Sequence, residues 1–257
     1  MEPAEIDAVV KAYAESCPVA TLQVGSQILR YLTPNLTCLA RAQTLATKEP
    51  HTIAWLNSMP EGSVYLDVGA NVGMYAVYAG VARKARVYAF EPEAQNYALL
   101  CLNLSLNALM AGAWCAALSD EARFDRLYLS TLMAGGSCHS FGENVDPYLK
   151  PSGARFAQGS YATTIDAMVE GGAIEVPGYI KIDVDGFEHK VIKGAAVTLK
   201  NPAVRSLLIE INPHLEEHRW IIDHLSVLGF AYDPNQFAGA ARKGGFFKGV
   251  GEYVFRR

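Results

Sequence analysis

The chain has 257 residues, 51% of them apolar and 19% charged, with a formal net charge of −4, which excludes a disordered chain and leaves room for a sizeable core. Lys plus Arg number 22 against 26 acids, and the basic residues cluster only at Arg83, Lys84 and Arg86, so neither a nucleic-acid backbone nor an anionic membrane is an expected partner. Five cysteines without a C-x-x-C pair, no apolar run of about eighteen residues and no basic leader fit reduced thiols, mostly in the core, and a cytoplasmic location without membrane insertion.

Residues 1–60 read as a segment that caps the domain. An acidic opening leads into an amphipathic helix over 5–16, with Ile6, Val9, Val10 and Tyr13 on one face. Two short strands follow between 21 and 32, then a helix near 52–58 carrying Ile53, Trp55 and Leu56. From 61 to 257 strands and helices alternate: strand 64–68, helix 72–81, strand 87–90, helix 93–108, strand 113–118, strand 179–184, helix 187–200, strand 206–211 and helix 214–228. Short apolar strands separated by amphipathic helices predict a single α/β domain whose mainly parallel sheet is covered on both faces. The pieces 230–232 and 252–255 are expected to close it as an antiparallel pair. Between the third and fourth strands the stretch 130–160 holds five glycines and two prolines with little periodicity; it reads as a lid or acceptor-binding loop. The sequons at Asn35 and Asn103 have no evident use in such a chain.

The stretch "YLDVGANVGMYA", residues 65–76, runs from a strand through a bare turn into a helix. Ligands in open α/β sheets sit beyond the carboxyl ends of the strands. Gly69 and Gly73 remove side chains where a ligand or a helix comes close, and Asn71 tolerates left-handed backbone. A dinucleotide fingerprint would read G-x-G-x-x-G. Here the order is D-x-G-x-N-x-G, and the acid at Asp67 favours a ligand with a cationic end, such as the ammonium and sulfonium of S-adenosylmethionine. In "VYAFEPE", residues 87–93, Glu91 stands where an acid accepts both hydroxyls of an unphosphorylated ribose. The competing readings are a turn or helix cap for Asp67 and a surface acid for Glu91.

These blocks, together with "TLATKEPHTIAWL" (44–56), "YIKIDVDGFEHKVIKGA" (179–195), "LLIEINPH" (207–214) and "GEYVFRR" at the end, resemble the FkbM-like family of S-adenosylmethionine-dependent methyltransferases from about residue 40 onward. The resemblance implies a Rossmann-like class I methyltransferase sheet with an antiparallel C-terminal strand. It also implies methyl transfer to a hydroxyl of a sugar, a glycan or a glycosylated natural product, releasing S-adenosylhomocysteine. Carried over, it places Asp67, Gly69, Asn71, Gly73 and Glu91 at the cofactor, Glu49 over its methionine end, and Ser119 with Asp120 by the adenine. Asp183 would face the transferred methyl group.

Methyl transfer from a sulfonium needs alignment, and a neutral hydroxyl also needs a base or a metal to lose its proton. Asp183 and Asp185 point the same way if the strand continues through them. Asp183 is expected as a substrate or base residue, while Asp185 reads equally as a helix N-cap with Glu188 three places on. Glu210 inside an apolar strand belongs either to the site or to a structural pair with a basic residue. His139 in the long loop is a candidate base or an exposed loop residue. His214 and His218, four apart, read as solvent-facing in the absence of a third ligand; a divalent metal is not indicated. Alternative functions are a methyltransferase acting on nitrogen, a nicotinamide oxidoreductase of Rossmann type, and a binding module that keeps the cofactor fold. The acceptor and the oligomeric state are not readable.

Overall fold

A computed structural model describes residues 3–257. The acidic opening at residues 1–2 and the side chain of Tyr13 lie outside the described residues. Helix α1 (Pro3–Glu15) carries Ile6, Val9 and Val10, all exposed, and leads to a hairpin of β1 (Val19–Val24) and β2 (Gln27–Leu32). Helices α2 (Leu36–Gln43) and α3 (Pro50–Ser58) follow. The Asn35 side chain caps α2 by accepting from Cys38 N at 2.9 Å, and Pro50 opens α3, where a missing N–H costs nothing.

The central sheet is built from β3 (Val64–Val68), β4 (Arg86–Phe90), β5 (Gly112–Trp114), β10 (Tyr179–Ile182), β11 (Ser206–Ile211), β12 (Ala231–Tyr232) and β13 (Gly251–Arg256). Their order is β12-β13-β11-β10-β3-β4-β5. Pairings from β11 through β5 are parallel, and β13 runs antiparallel to both β11 and β12. This is the mainly parallel α/β sheet with a reversed C-terminal strand that the alternation of patterns predicts.

Alternate residues of each strand feed two apolar layers. On one face Trp55, Tyr65, Val77 and Leu100 pack beneath α3, α4 (Met74–Arg83) and α5 (Ala94–Leu106). On the other, Leu66, Ile180, Ile192 and Leu225 pack beneath α6 (Ile165–Glu170), α7 (Glu188–Lys193) and α8 (Glu216–Val227). The hairpin rests on α4 and α5. There Asn103 and Asn107 take up backbone groups of Leu32 and Arg30, and Tyr31 OH donates to Met74 O at 2.9 Å. Both sequon asparagines therefore have structural employment.

Four expectations change. Strand 113–118 splits, its last residues forming β6 (Ala117–Leu118) in a second sheet with β7 (Arg123–Leu129), β8 (Ser140–Phe141) and β9 (Phe156–Thr163), in the order β6-β9-β7-β8. The 130–160 stretch thus supplies β8 and the start of β9, each paired with β7. Helix 187–200 shortens to Glu188–Lys193 with Gly194 as its C-cap, where a Cβ would stand 2.0 Å from the Ser119 carbonyl oxygen, and only a 3-10 turn follows at Thr198–Lys200. Helices α6 and α9 (Pro234–Ala240) were not anticipated. Of the five free cysteines only Cys38 is buried, so they are not mainly core residues.

Gly69 closes the joint between β3 and β10. It has φ +77°, and an added Cβ would lie 2.0 Å from the Asp183 carbonyl oxygen. Gly69→Ala therefore combines a strained left-handed backbone with a clash against main chain, and is expected to lower stability by at least about 2 kcal/mol. Urea unfolding of the variant measures this.

Candidate active site

The carboxyl ends of β3, β4, β10 and β11 open into one cavity of about 280 Å³. A smaller one of about 60 Å³ adjoins it and shares Arg41, Lys48, Glu49, Gly69, Asn71 and Asp183. Gly69, Asn71, Glu91, Ser119, His139, Asp183, Glu210 and Glu49, predicted from scattered segments, all line the larger cavity.

The turn after β3 is shaped by positive φ at Gly69, Asn71 and Gly73, which residues other than glycine and asparagine adopt at a cost. Asn71 N–H donates to Glu91 Oε2 and Glu93 N–H to Glu91 Oε1, each at 2.8 Å. The carboxylate is thereby fixed at the mouth of β4. Burial nevertheless pushes its pKa up to about 7 against the pull of those two N–H groups. Beside it Phe90, Leu118, Leu127 and Phe141 make an apolar slot that ends at the buried Ser119.

Three predicted cofactor residues do not line either cavity. Asp67 is fully buried beneath the turn, neither oxygen has a hydrogen-bond partner, and its nearest cation is Lys181, 4.0 Å away. Burial raises its pKa to about 6, Lys181 opposing. The register of β10 on β3 puts it opposite Lys181 on the same face of the sheet, and that lysine links it to Asp183. Gly73 serves the packing of α4 on α5, since a Cβ there would meet Leu100 Cδ1 at 2.5 Å. Asp120 is exposed and accepts from Ser119 Oγ at 3.0 Å.

At the other end Lys181, 2% exposed, places Nζ 2.9 Å from Asp183 Oδ2. Burial alone would raise the Asp183 pKa, but the charges of Lys181, Lys48 and Arg242 win and hold it below the ordinary carboxylate value. Glu210 is both a cavity residue and half of a structural pair, 2.7 Å from Arg242 Nη2. Burial and the Asp183 charge push its pKa well up, with Arg242 pulling the other way. Arg242 also lies 3.8 Å from Glu49 and 4.0 Å from Glu252.

The strand ends at Ile182 and Asp185 has φ +56°, so alternation along a strand does not place it. Asp185 still lines the cavity, accepting from Cys138 N at 2.7 Å. It is not the N-cap of α7, a position held by Phe187. Glu188 instead reaches back to accept from Val184 N at 2.8 Å and Gly186 N at 3.0 Å. His218 is buried, 3.0 Å from Glu188 Oε2, while His214 is exposed ahead of α8; the expectation that both face solvent fails for His218. Oxygens of Asp183, Glu188 and Glu210 lie within 4.8 Å of one another, and each carboxylate has a protein donor or cation: Lys181, the two N–H groups with His218, and Arg242.

His139 Nδ1 accepts from Ser130 N at 3.2 Å, which leaves the proton of the neutral ring on Nε2. Burial lowers its pKa. As arranged, the neutral ring is a hydrogen-bond donor at Nε2, and acting as a base requires release of the Ser130 N–H from Nδ1. Its loop is held by a clamp the sequence did not disclose. Asn35 and Cys38 donate to Ala134 O, Arg41 donates to Gly135 O, and both Asn71 and Asn96 donate to Gly136 O. The Gly-Gly doublet at 135–136 was the available signal: a Cβ on Gly136 would meet Thr131 Cγ2 at 2.4 Å. Arg242 and Phe247, which also line the cavity, come from a segment without a motif.

Residues 67–232 match the family model described as the methyltransferase FkbM domain. The chain is 28% identical over 173 residues to the 31-O-demethyl-FK506 methyltransferase FkbM of Streptomyces tacrolimicus, covering 59% of this chain and 66% of that one, just under two thirds of that relative's length. It is 26% identical over 196 residues to the hexuronic acid methyltransferase AglP of Haloferax volcanii, covering 74% and 73%. Among solved structures, magnesium protoporphyrin IX methyltransferase (ChlM) of Synechocystis PCC 6803 superposes with a TM-score of 0.47 at 13% identity, over 99% of this chain and 92% of that one.

The buried acids give the protein a pH signature. Glu91, Asp185 and Glu252 are each raised to about 7, chiefly by burial, and Asp67 to about 6. A raised carboxyl pKa means that the folded state binds more protons than the unfolded one between the two values. The stability these groups contribute is full below about pH 4 and is lost as pH rises through about 7. The ligand-free protein is expected to melt progressively lower from about pH 5 to about pH 8, with a shallower decline in Glu91→Gln. Thermal unfolding across that range measures both.

Proposed function

The chain belongs to the FkbM methyltransferase family, and from that premise we propose that it is an S-adenosylmethionine-dependent O-methyltransferase acting on a hydroxyl of a sugar, glycan or glycosylated natural product. The reading is carried by one arrangement: the amide-fixed carboxylate of Glu91 and the paired acids Asp183 and Glu210 face the same cavity from opposite ends.

The residues fit the cofactor. Gly69 and Asn71 leave the tip of β3 bare, Glu91 keeps acceptor capacity for ribose hydroxyls, and the slot between Phe90, Leu118 and Phe141 suits a planar base. When bound, S-adenosylmethionine supplies a methyl group already activated on a positively charged sulfur. The chain's own share is alignment and the handling of one proton.

Asp183 is assigned that proton. Lys181 keeps the carboxylate ionised and points it from the end of β10, so it accepts a hydrogen bond from the acceptor hydroxyl and takes its proton as the oxygen reacts. Glu210 is pushed the opposite way, and a pair of acids driven apart in pKa divides the roles of acceptor and proton store. Glu49, half of an ion pair with Lys48 at 3.1 Å, covers the side toward the N-terminal segment. His139 offers Nε2–H, which has no partner among the described residues, as a donor to a bound oxygen or ring nitrogen. Deprotonation by this carboxylate is a protein-base route.

S-adenosylhomocysteine at a hundred times its dissociation constant adds about 2.7 kcal/mol of apparent stability and raises the melting temperature, whereas NAD leaves it unchanged. The reverse result removes the methyltransferase reading in favour of an oxidoreductase. Asp183→Asn is expected to lower kcat about 100-fold or more while S-adenosylhomocysteine still binds. Turnover of a hydroxylated acceptor together with calorimetric binding separates the two effects.

A further inference from the structure

The hydrogen-bonded ladder between β10 and β11 ends at the pair Ile182 and Ile209. Asp183 and Glu210, the two acids given roles above, therefore lie one residue past the last paired position. Each is held from its other side, Asp183 by its N–H on Val68 O and Glu210 by its antiparallel pairing with Glu252. Among the described residues no strand hydrogen bond sets the distance between the two along their shared edge, although oxygens of both fall within the same 4.8 Å cluster. Carboxyl groups so close repel when both are charged, so their separation needs a tie from outside the ladder.

His218 supplies one. It is 2% exposed, on the face of α8 that carries the fully buried Ile221 and Leu225, and a histidine sealed from water needs a partner at each ring nitrogen. Nδ1 accepts from the N–H of Asn212, the first residue after β11, at 2.9 Å. Nε2 stands 3.0 Å from Glu188 Oε2 and 3.1 Å from Gly186 O. An N–H donating into Nδ1 leaves the ring proton on Nε2, which donates to those two oxygens. Glu188 in turn accepts from Val184 N and Gly186 N. One carboxylate thus gathers the turn 183–186, in which Asp185 and Gly186 both have positive φ. Burial works against a charge on the His218 ring and the Glu188 carboxylate works for it, with a net rise in pKa; the Asn212 N–H, which needs an unprotonated Nδ1, decides for the neutral ring.

We propose that His218 is a positioning residue whose neutral ring bridges the end of β11 to the turn after β10 and so sets Asp183 against Glu210. Its consequence for catalysis rests on the methyltransferase reading above, in which Asp183 takes the acceptor's proton, but the bridge itself is measurable with no ligand present. The bridge also gives a use to one of the two histidines spaced four apart: both nitrogens of His218 are occupied by protein groups, while His214 is exposed.

The test is NMR on the full chain, labelled with 15N in the histidine rings and 13C in the side-chain carboxyls. In the wild type at neutral pH the His218 ring, assigned through its connectivity to the backbone, is expected to show the neutral Nε2–H tautomer. His218→Asn keeps an acceptor near the place of Nδ1 and loses the link to Glu188; His218→Gln keeps a donor near the place of Nε2 and loses the acceptor for Asn212 N–H. Neither variant changes the charge of the neutral ring. A merely structural role would therefore lower the melting temperature and leave the titration midpoints of Asp183 and Glu210 in place. Burial and the Asp183 charge hold the Glu210 midpoint up, and the second depends on the bridge, so both variants are expected to move that midpoint down. Asp183→Asn and Glu210→Gln identify the two signals, and melting curves establish that each variant folds. An unmoved or raised Glu210 midpoint in a folded variant overturns the proposal. A wild-type ring that is doubly protonated or carries its proton on Nδ1 overturns it as well, and that reading needs no variant to fold. Calorimetry with S-adenosylhomocysteine on the wild type is read separately: absence of binding defeats the methyltransferase reading, whereas the carboxyl midpoints judge the bridge.

Discussion

A lysine buried in the centre of the sheet governs this site. The parallel register of β10 on β3 sets Lys181 opposite Asp67, and its side chain also reaches Asp183 just past the strand end. A cation removed from water demands counter-charge, and removing one partner from such a group typically costs about 3–5 kcal/mol. The demand is met unevenly. Asp183 makes the close contact and stays ionised, while Asp67, farther off and without a hydrogen bond, is raised in pKa. One strand-to-strand register therefore determines which acid faces the cavity charged and which stays beneath it.

Around that centre the cavity divides by charge. The Glu91 end joins an apolar slot of Phe90, Leu118, Leu127 and Phe141 to one carboxylate held by two backbone N–H groups. At the Asp183 end Glu49, Glu210 and Glu252 gather about Arg242. Burial, with three carboxylates about one guanidinium, favours protonated or hydrogen-bonded acids there, as the raised values of Glu210 and Glu252 reflect.

The clamp on Ala134–Gly136 links these ends mechanically. Asn71 donates through its backbone to Glu91 and through its side chain to Gly136, so the turn that fixes the Glu91 carboxylate also holds the loop that carries His139. Arg41 and Asn96 add grips from α2 and α5. A long loop with five hydrogen bonds on three consecutive residues is a fixed wall of the pocket, which its glycine content alone does not suggest.

What the sequence determined by itself was local. The left-handed geometry at Gly69, Asn71 and Gly73, the strand-turn-helix around them and the place of Glu91 after the second strand follow from backbone sterics and a fixed repeat length, which act within about twenty residues. The resemblance of several blocks to one family extended this to the sheet order and to Asp183. Tertiary structure decided the pairings: Lys181 between two acids, Arg242 on Glu210, His218 on Glu188, and the tip of the long loop under α2, where Arg41 holds the Gly135 carbonyl. The physical reason is that electrostatic and hydrogen-bond partners are chosen by distance in space and by burial. Neither is written into spacing along the chain, so the half of the cavity made from one βαβ turn was legible and the half assembled from α2, the long loop and the C-terminal segment was not.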